Sequence, residues 1–309
     1  MSDLLADVGF QSDWLDVLGT TFMRHALLGG SLVAIAAGLL GYFVITRQNA
    51  FAAHALAHIG FPGATGAILV GAPITLGLAV FCIGGGLLIG LFGKRVAERE
   101  IATGTILALA TGLGVLFASL AGANASATTS VLFGNLLAIS SQQLVVFGLF
   151  TAAVVLALAV VARPLLFASV DPAVAEARGV PVRALGLTFV VLLALTITMA
   201  VQVVGTLLLF ALVVTPAATA LRLTARPARV AAIAVGIALV SVWAGLVLSA
   251  MVNLPPSFFV VAVAVAVWLA VLLLTGRRRE VHQRSTDADA HHRPAAPVSH
   301  PRRERDLPR

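Results

Sequence analysis

Two histidines stand four residues apart in the run Asn49-Ala-Phe-Ala-Ala-His54-Ala-Leu-Ala-His58-Ile-Gly-Phe-Pro62-Gly63. The alanine density favours helix. A spacing of four sets both imidazoles on one helical face, about 5–6 Å apart at Cβ. In that geometry two neutral imidazoles can share one divalent metal ion. If the helix starts near Arg47, His54 lies about 10 Å and His58 about 16 Å along its axis from that arginine. Pro62-Gly63 is expected to bend or break the helix and free backbone carbonyls, which is tolerated where a cavity is lined. The competing reading is a neutral pair hydrogen-bonded to neighbouring helices. The setting favours a pathway role, because no Asp, Glu or Lys falls within any apolar stretch of the chain and ionisable groups in such a core are costly.

The elements that must position this pair are membrane helices. Of 309 residues, 60% are hydrophobic and only 11% charged, and the mean hydropathy is +1.03. A soluble fold cannot hide that much apolar surface, so a soluble enzyme, a disordered chain and a disulfide-stapled secreted domain are all excluded. The expected fold is all-α and polytopic, with spans at 26–46, 50–71, 74–93, 101–121, 143–163, 184–203, 205–221, 230–252 and 257–275. Each is long enough, or nearly so, to cross a hydrocarbon core of about 30 Å. The stretches 184–203 and 205–221 are almost fused: they are two short helices turning near Gln202 and Gly205, or one long span with a half-helix. The count is therefore about nine, within a range of eight to ten.

Charge sets the organisation. The 20 basic residues comprise 19 Arg and Lys94, and nine of the Arg lie from Arg277 onward. The net charge of +7 thus describes a tail and some connections rather than a nucleic-acid-binding surface. Between spans, Arg and Lys occupy alternate connections, at Arg47, Lys94–Arg99, Arg163–Arg183, Arg222–Arg229 and Arg277–Arg279. Under the positive-inside rule these connections and the C-terminus are cytoplasmic, the N-terminus is outside and the number of spans is odd. Three regions follow: an amphipathic extracytoplasmic segment at 1–24 with Trp14 as an interfacial anchor, a transmembrane domain at 25–276, and a disordered basic cytoplasmic tail at 277–309. The tail carries His282, His291, His292 and His300; a metal-sensing role is conceivable there, but scattered histidines in a flexible segment are usually solvated.

Other motifs are structural or negative. Gly86-x-x-x-Gly90 is explained by close helix packing, and Cys82 by burial as a small hydrophobe. Gly93-Lys94 lacks the remaining phosphate-loop residues, so no ATP site is encoded. There is no catalytic serine or metalloprotease motif. The connection Ser169-Val-Asp171-Pro172-Ala-Val-Ala-Glu176-Ala-Arg178-Gly179-Val180-Pro181 should form a helix of about two turns, capped by Ser169 or Asp171 and closed by Gly179. It either docks a soluble partner or lies on the membrane surface.

Taken together, four motifs resemble the permease subunit of bacterial metal-ion ABC importers, the zinc/manganese family, over about residues 20–275. They are Ala53-His54-Ala-Leu56-Ala-His58…Pro62-Gly63, Leu132-Phe133-Gly134-Asn-Leu-Leu, Asp171-Pro172…Ala177-Arg178-Gly179-Val180, and Val201-Gln202-Val-Val-Gly205 followed by Thr215-Pro216. The resemblance implies a homodimeric permease in the bacterial cytoplasmic membrane, itself no enzyme. It implies a cytoplasmic ATP-binding cassette subunit that hydrolyses ATP and an extracytoplasmic metal-binding protein that delivers the ion. His54 and His58 would be the metal ligands, with His54 standing where the family has Asp. Asp171, Pro172, Glu176, Arg178, Gly179 and Val180 would couple to the ATPase; Pro62, Gly63, Gln202, Gly205 and Pro216 are pathway or hinge candidates. No cofactor is held permanently; the divalent metal is cargo. Two His per protomer across a two-fold axis would suit Zn²⁺ better than oxygen-preferring Mn²⁺, with manganese or iron as alternatives. Rival readings are a permease for a metal chelate or another small solute, an ATP-independent channel or carrier, and a membrane scaffold.

Overall fold

A computed structural model describes residues 14–92, 96–122, 131–252 and 254–291; the expectations for 1–13 and 292–309 lie outside the described residues. The chain there is all helix. In order the helices are α1 (Trp14–Gly19), α2 (Thr21–Thr46), α3 (Ala50–Val70), α4 (Ile74–Phe92), α5 (Val96–Leu120), α6 (Ser141–Val170), α7 (Pro172–Ala177), α8 (Val182–Val213), α9 (Thr215–Leu223), α10 (Pro227–Val252) and α11 (Pro256–His291). Eight of the described helices contain a stretch long and apolar enough to cross a membrane, and Leu208–Leu223 forms a shorter apolar helical stretch.

The inner helices are α2, α3 and the first part of α8. They are rich in small residues, which let backbones approach. A Cβ at Gly38 would strike the Val235 backbone of α10, one at Gly41 the Val213 carbonyl, and one at Gly63 the Gly77 carbonyl. Without a hydrophobic drive between helices in lipid, such close packing is the main source of association. The outer helices α4, α5, α6 and α11 turn large apolar side chains outward, among them Leu88, Ile101, Leu109, Leu156 and Leu273.

Two of the basic connections, at Arg47 and over Arg163–Arg183, meet at one end of the bundle. Arg47 donates to Ser169 Oγ at 3.3 Å, its guanidinium lies 5.4 Å from the Phe189 ring centre, and Gly186 faces the same guanidinium. The α2–α3 turn, the α6–α7 joint and the start of α8 therefore meet there. The opposite end holds Gln202, whose side chain bonds Thr75 just beyond α3.

Between these ends the fused stretch resolves. Gly205 takes φ 84° and ψ 169°, a region open essentially to glycine alone. Val213 and Ala217 then pack against Gly41, well down α2 toward Arg47. The chain therefore reverses at Gly205 and returns as Leu208–Leu223. That stretch rises only about 24 Å, short for a core of about 30 Å. The described residues thus hold eight helices long enough to span and one shorter apolar return segment. At the C-terminus, α11 continues to His291, so residues 277–291 of the expected tail are helical. No proline or glycine interrupts the chain between Gly276 and Pro294, and a preceding helix spares this stretch its nucleation cost.

Candidate functional site

The tight α2–α3 turn starts the site. Gln48 adopts φ 53°, and Asn49 N–H donates back to the Val44 carbonyl at 2.8 Å, so α3 begins at Ala50. Ala53, Ala55, Leu56 and Ala57 are buried against neighbouring helices. The open face of α3 is left to Phe51, His54 and His58, with Phe51 exposed and both histidines half-buried. The two imidazoles lie 4.8 Å apart between ring centres at 75°. The Phe210 ring, from the return segment, lies 6.2 Å from the His54 ring between centres, at 83°. Nδ1 of His54 is shielded from solvent and has no hydrogen-bond partner. That orphan removes the simplest structural account of His54, a satisfied packing histidine. Among the described residues no group of three or more His, Cys, Asp or Glu is assembled. One chain therefore offers two nitrogens from this pair, and a four-coordinate ion needs donors from elsewhere.

Pro62 and Gly63 do not break α3, contrary to expectation: the helix runs through Pro62 to Val70. The reason is contact from outside. Gly63 and Gly77 lie backbone to backbone, and Gly114 sits against Phe61 and Pro62. Thr65 Oγ1, fully buried, donates within reach of the Phe61, Pro62 and Gly114 carbonyls. The helix is thereby packed closely between α4 and α5 on either side of the proline.

The break in α8 lies at Gly205. Gly134 (φ 75°) and Gly205 (φ 84°) stack so closely that a Cβ on either would enter the other's backbone. Asn135 N–H donates to the Gln202 carbonyl at 3.1 Å. The stretch around the Leu136–Ala138 3₁₀ turn therefore packs into the bundle, with Val131, Leu136 and Ile139 buried. Gln202 is a node: its Oε1 accepts from Thr75 Oγ1 (2.9 Å) and Gln143 Nε2 (3.1 Å), and its Nε2 donates to the Thr198 carbonyl (2.9 Å). It ties α4, α6 and α8 together across helices. Pro216 is buried at the start of α9, where its missing N–H is harmless.

The Asp171–Val180 segment forms as its residues require. Asp171 caps α7 by accepting from Val174 N–H at 3.0 Å, while Ser169 is engaged with Arg47 and the Leu165 carbonyl. Gly179 (φ 79°) ends it, with Gly179 N–H to Glu176 carbonyl and Val180 N–H to Ala175 carbonyl both at 3.0 Å. This is a Schellman closure. Ala175 anchors the helix inward, whereas Pro172, Val174, Glu176 and Arg178 are exposed. A cavity of about 670 Å³, lined in part by Arg47, Leu56, Pro172, Arg183 and Phe189, lies beside it.

Sequence reasoning missed Phe210 and Thr206. Phe210 reaches His54 only through the reversal at Gly205. Thr206, fully buried, has a hydroxyl without a partner; its place next to a helix-breaking glycine was the one available signal.

A model of the ABC 3 transport family matches residues 19–275. The manganese transport system membrane protein MntC of Halalkalibacterium halodurans is 31% identical over 252 residues, covering 80% of this chain and 85% of that one. A probable iron transport system membrane protein of Haemophilus influenzae is 30% identical over 267 residues, covering 82% and 97%. Among solved structures, PsaBC from Streptococcus pneumoniae in complex with Fab superposes with a TM-score of 0.76 at 27% identity, covering 84% of this chain and 94% of that one.

Proposed function

The chain belongs to the ABC 3 transport family, and from that premise we propose that it is the membrane-spanning permease subunit of an ATP-driven importer of a divalent metal ion. The observation that carries the reading is the paired imidazoles on the open face of α3, with the Phe210 ring beside His54, among helices whose apolar stretches carry no Asp, Glu or Lys. Against lipid, such a face would be costly; against a second copy it gives a two-fold pathway with four imidazoles. His54 and His58 are transient ligands, since a transport site must also release its ion. Nitrogen donors favour Zn²⁺. The names of relatives, manganese in MntC and iron in the Haemophilus protein, support manganese or iron as the second reading. The exposed side of α7 meets a cytoplasmic ATP-binding cassette subunit, where ATP is hydrolysed, and an extracytoplasmic binding protein delivers the ion at the Gly205 end. The meeting of two basic connections at the Arg47 end supports that end, and the C-terminus, as cytoplasmic in a bacterial inner membrane.

The test is zinc and manganese uptake by cells carrying His54→Ala or His58→Ala at matched expression. Each variant should lose most uptake of the physiological ion. Normal uptake by both would sink the pathway assignment. His54→Asp should shift preference toward manganese, and an unchanged ion profile would refute the zinc reading.

A further inference from the structure

Buried hydroxyls in this bundle find carbonyl partners. Thr65, Thr196, Thr198, Thr219 and Ser241 each donate to the carbonyl four residues back, the usual way a hydroxyl is satisfied inside a helix, while Thr151 donates to the Leu32 carbonyl and Ser249 to the Leu254 carbonyl. Thr206 differs from all of these. Its side chain is fully buried and its Oγ1 has no hydrogen-bond partner. The carbonyl four residues back belongs to Gln202, and that oxygen is engaged by Asn135 N–H. The non-helical turn at Gly205 also carries Thr206 off the helical path that would bring its hydroxyl over that carbonyl.

Among the described residues, the other shielded side-chain atom without a partner is His54 Nδ1. The two are not scattered. α3 runs from the Arg47 end toward the Gly205 end, and the segment after Gly205 runs the opposite way. His54 and Phe210 meet across these segments at 6.2 Å. One turn from His54 toward the Gly205 end stands His58; one turn from Phe210 in the same direction stands Thr206. Residues four apart share a helical face, so Thr206 occupies the tier of His58 as Phe210 occupies that of His54.

We propose that the Thr206 hydroxyl is an oxygen ligand of the transported divalent cation, presented beside the His58 tier when the segment after Gly205 turns about that glycine. The proposal rests on the metal-import reading. In the state described, both orphan atoms are shielded, and an unmade hydrogen bond in a buried site is costly. Coordination to a cation recovers that cost in the loaded state. A hydroxyl oxygen is a harder donor than imidazole, so its loss weighs more on manganese than on zinc.

The experiment compares wild type, Thr206→Val and Thr206→Ser in the assembled importer. It reads the half-saturating concentration for manganese and for zinc uptake, together with the melting temperature of the purified permease. Valine keeps the shape and removes the oxygen; serine keeps the oxygen. Thr206→Val should raise the half-saturating manganese concentration about tenfold, the scale of one lost polar contact, with a smaller change for zinc and a melting temperature at or above wild type. Thr206→Ser should restore manganese affinity. Wild-type affinities in Thr206→Val overturn the proposal. So does an equal loss in both variants, or a loss that tracks a lower melting temperature, since each marks a packing role. A wild-type complex that moves neither ion overturns the import reading itself, and that control separates the two failures.

Discussion

Replacing Gly205 with alanine should be among the most damaging single-methyl changes in this protein. The backbone there has φ 84° and ψ 169°, and holding a non-glycine residue in that region costs about 1–3 kcal/mol. The added Cβ would also enter the Leu132 carbonyl and the Phe133–Gly134 peptide, so the two backbones must separate. Separation breaks the Asn135 N–H bond to the Gln202 carbonyl, about 1 kcal/mol more, with a comparable loss from unpacking around the buried Leu136. The sum is roughly 3–5 kcal/mol. At about 2 °C per kcal/mol for a chain of this size, the melting temperature should fall by roughly 6–10 °C. Tryptophan fluorescence during a thermal ramp in detergent reads this directly, since the chain has three tryptophans. Gly236→Ala is the matched control: nothing lies within 4 Å of its added Cβ, and alanine is the better helix former, so it should melt at or above wild type. If Gly205→Ala melts within about one degree of that control, the argument that this turn is held by glycine-only geometry and direct backbone contact is wrong.

Two further outcomes follow from the same geometry. Gln202→Leu strips partners from Thr75, Gln143 and the Thr198 carbonyl and should cost about 2–3 kcal/mol; a melting point unchanged from wild type would show that the node is dispensable. Gly179→Pro removes the N–H that donates to Glu176 and demands φ near −65° where the chain has 79°. Measured side by side in the reconstituted complex, uptake should fall roughly tenfold while ATP hydrolysis persists, and a parallel fall in both would refute a coupling role for α7.

What the sequence made legible was set by local composition. Span positions followed from apolar length, and α7 from Asp171-Pro172 at its start and Gly179 at its end, because those residues act on their immediate neighbours. The break near Gln202 and Gly205 was legible for the same reason. What was not legible depended on residues distant along the chain. Pro62-Gly63 read as a break because nothing nearby in sequence reveals that Gly77 and Gly114 press on it. The burial of the stretch around Leu136 was not legible because its partner, Gly205, lies some seventy residues on. The histidine pair was legible from spacing, but Phe210 against His54 and the orphaned Thr206 hydroxyl exist only because the chain doubles back.

The short return segment has a consequence for how the protein is made. Leu208–Leu223 is the apolar stretch too short to count as a full span, and it is interrupted at Thr215-Pro216. A translocon that sorts helices by hydrophobic length has little to hold there. The segment's place is fixed instead by the Val213 and Ala217 contacts on Gly41 and by the Gly134–Gly205 stack, both of which involve earlier parts of the chain. The first helices and the buried stretch around Leu136 thus supply the surfaces that hold the return segment before Arg222, in place of hydrophobic length.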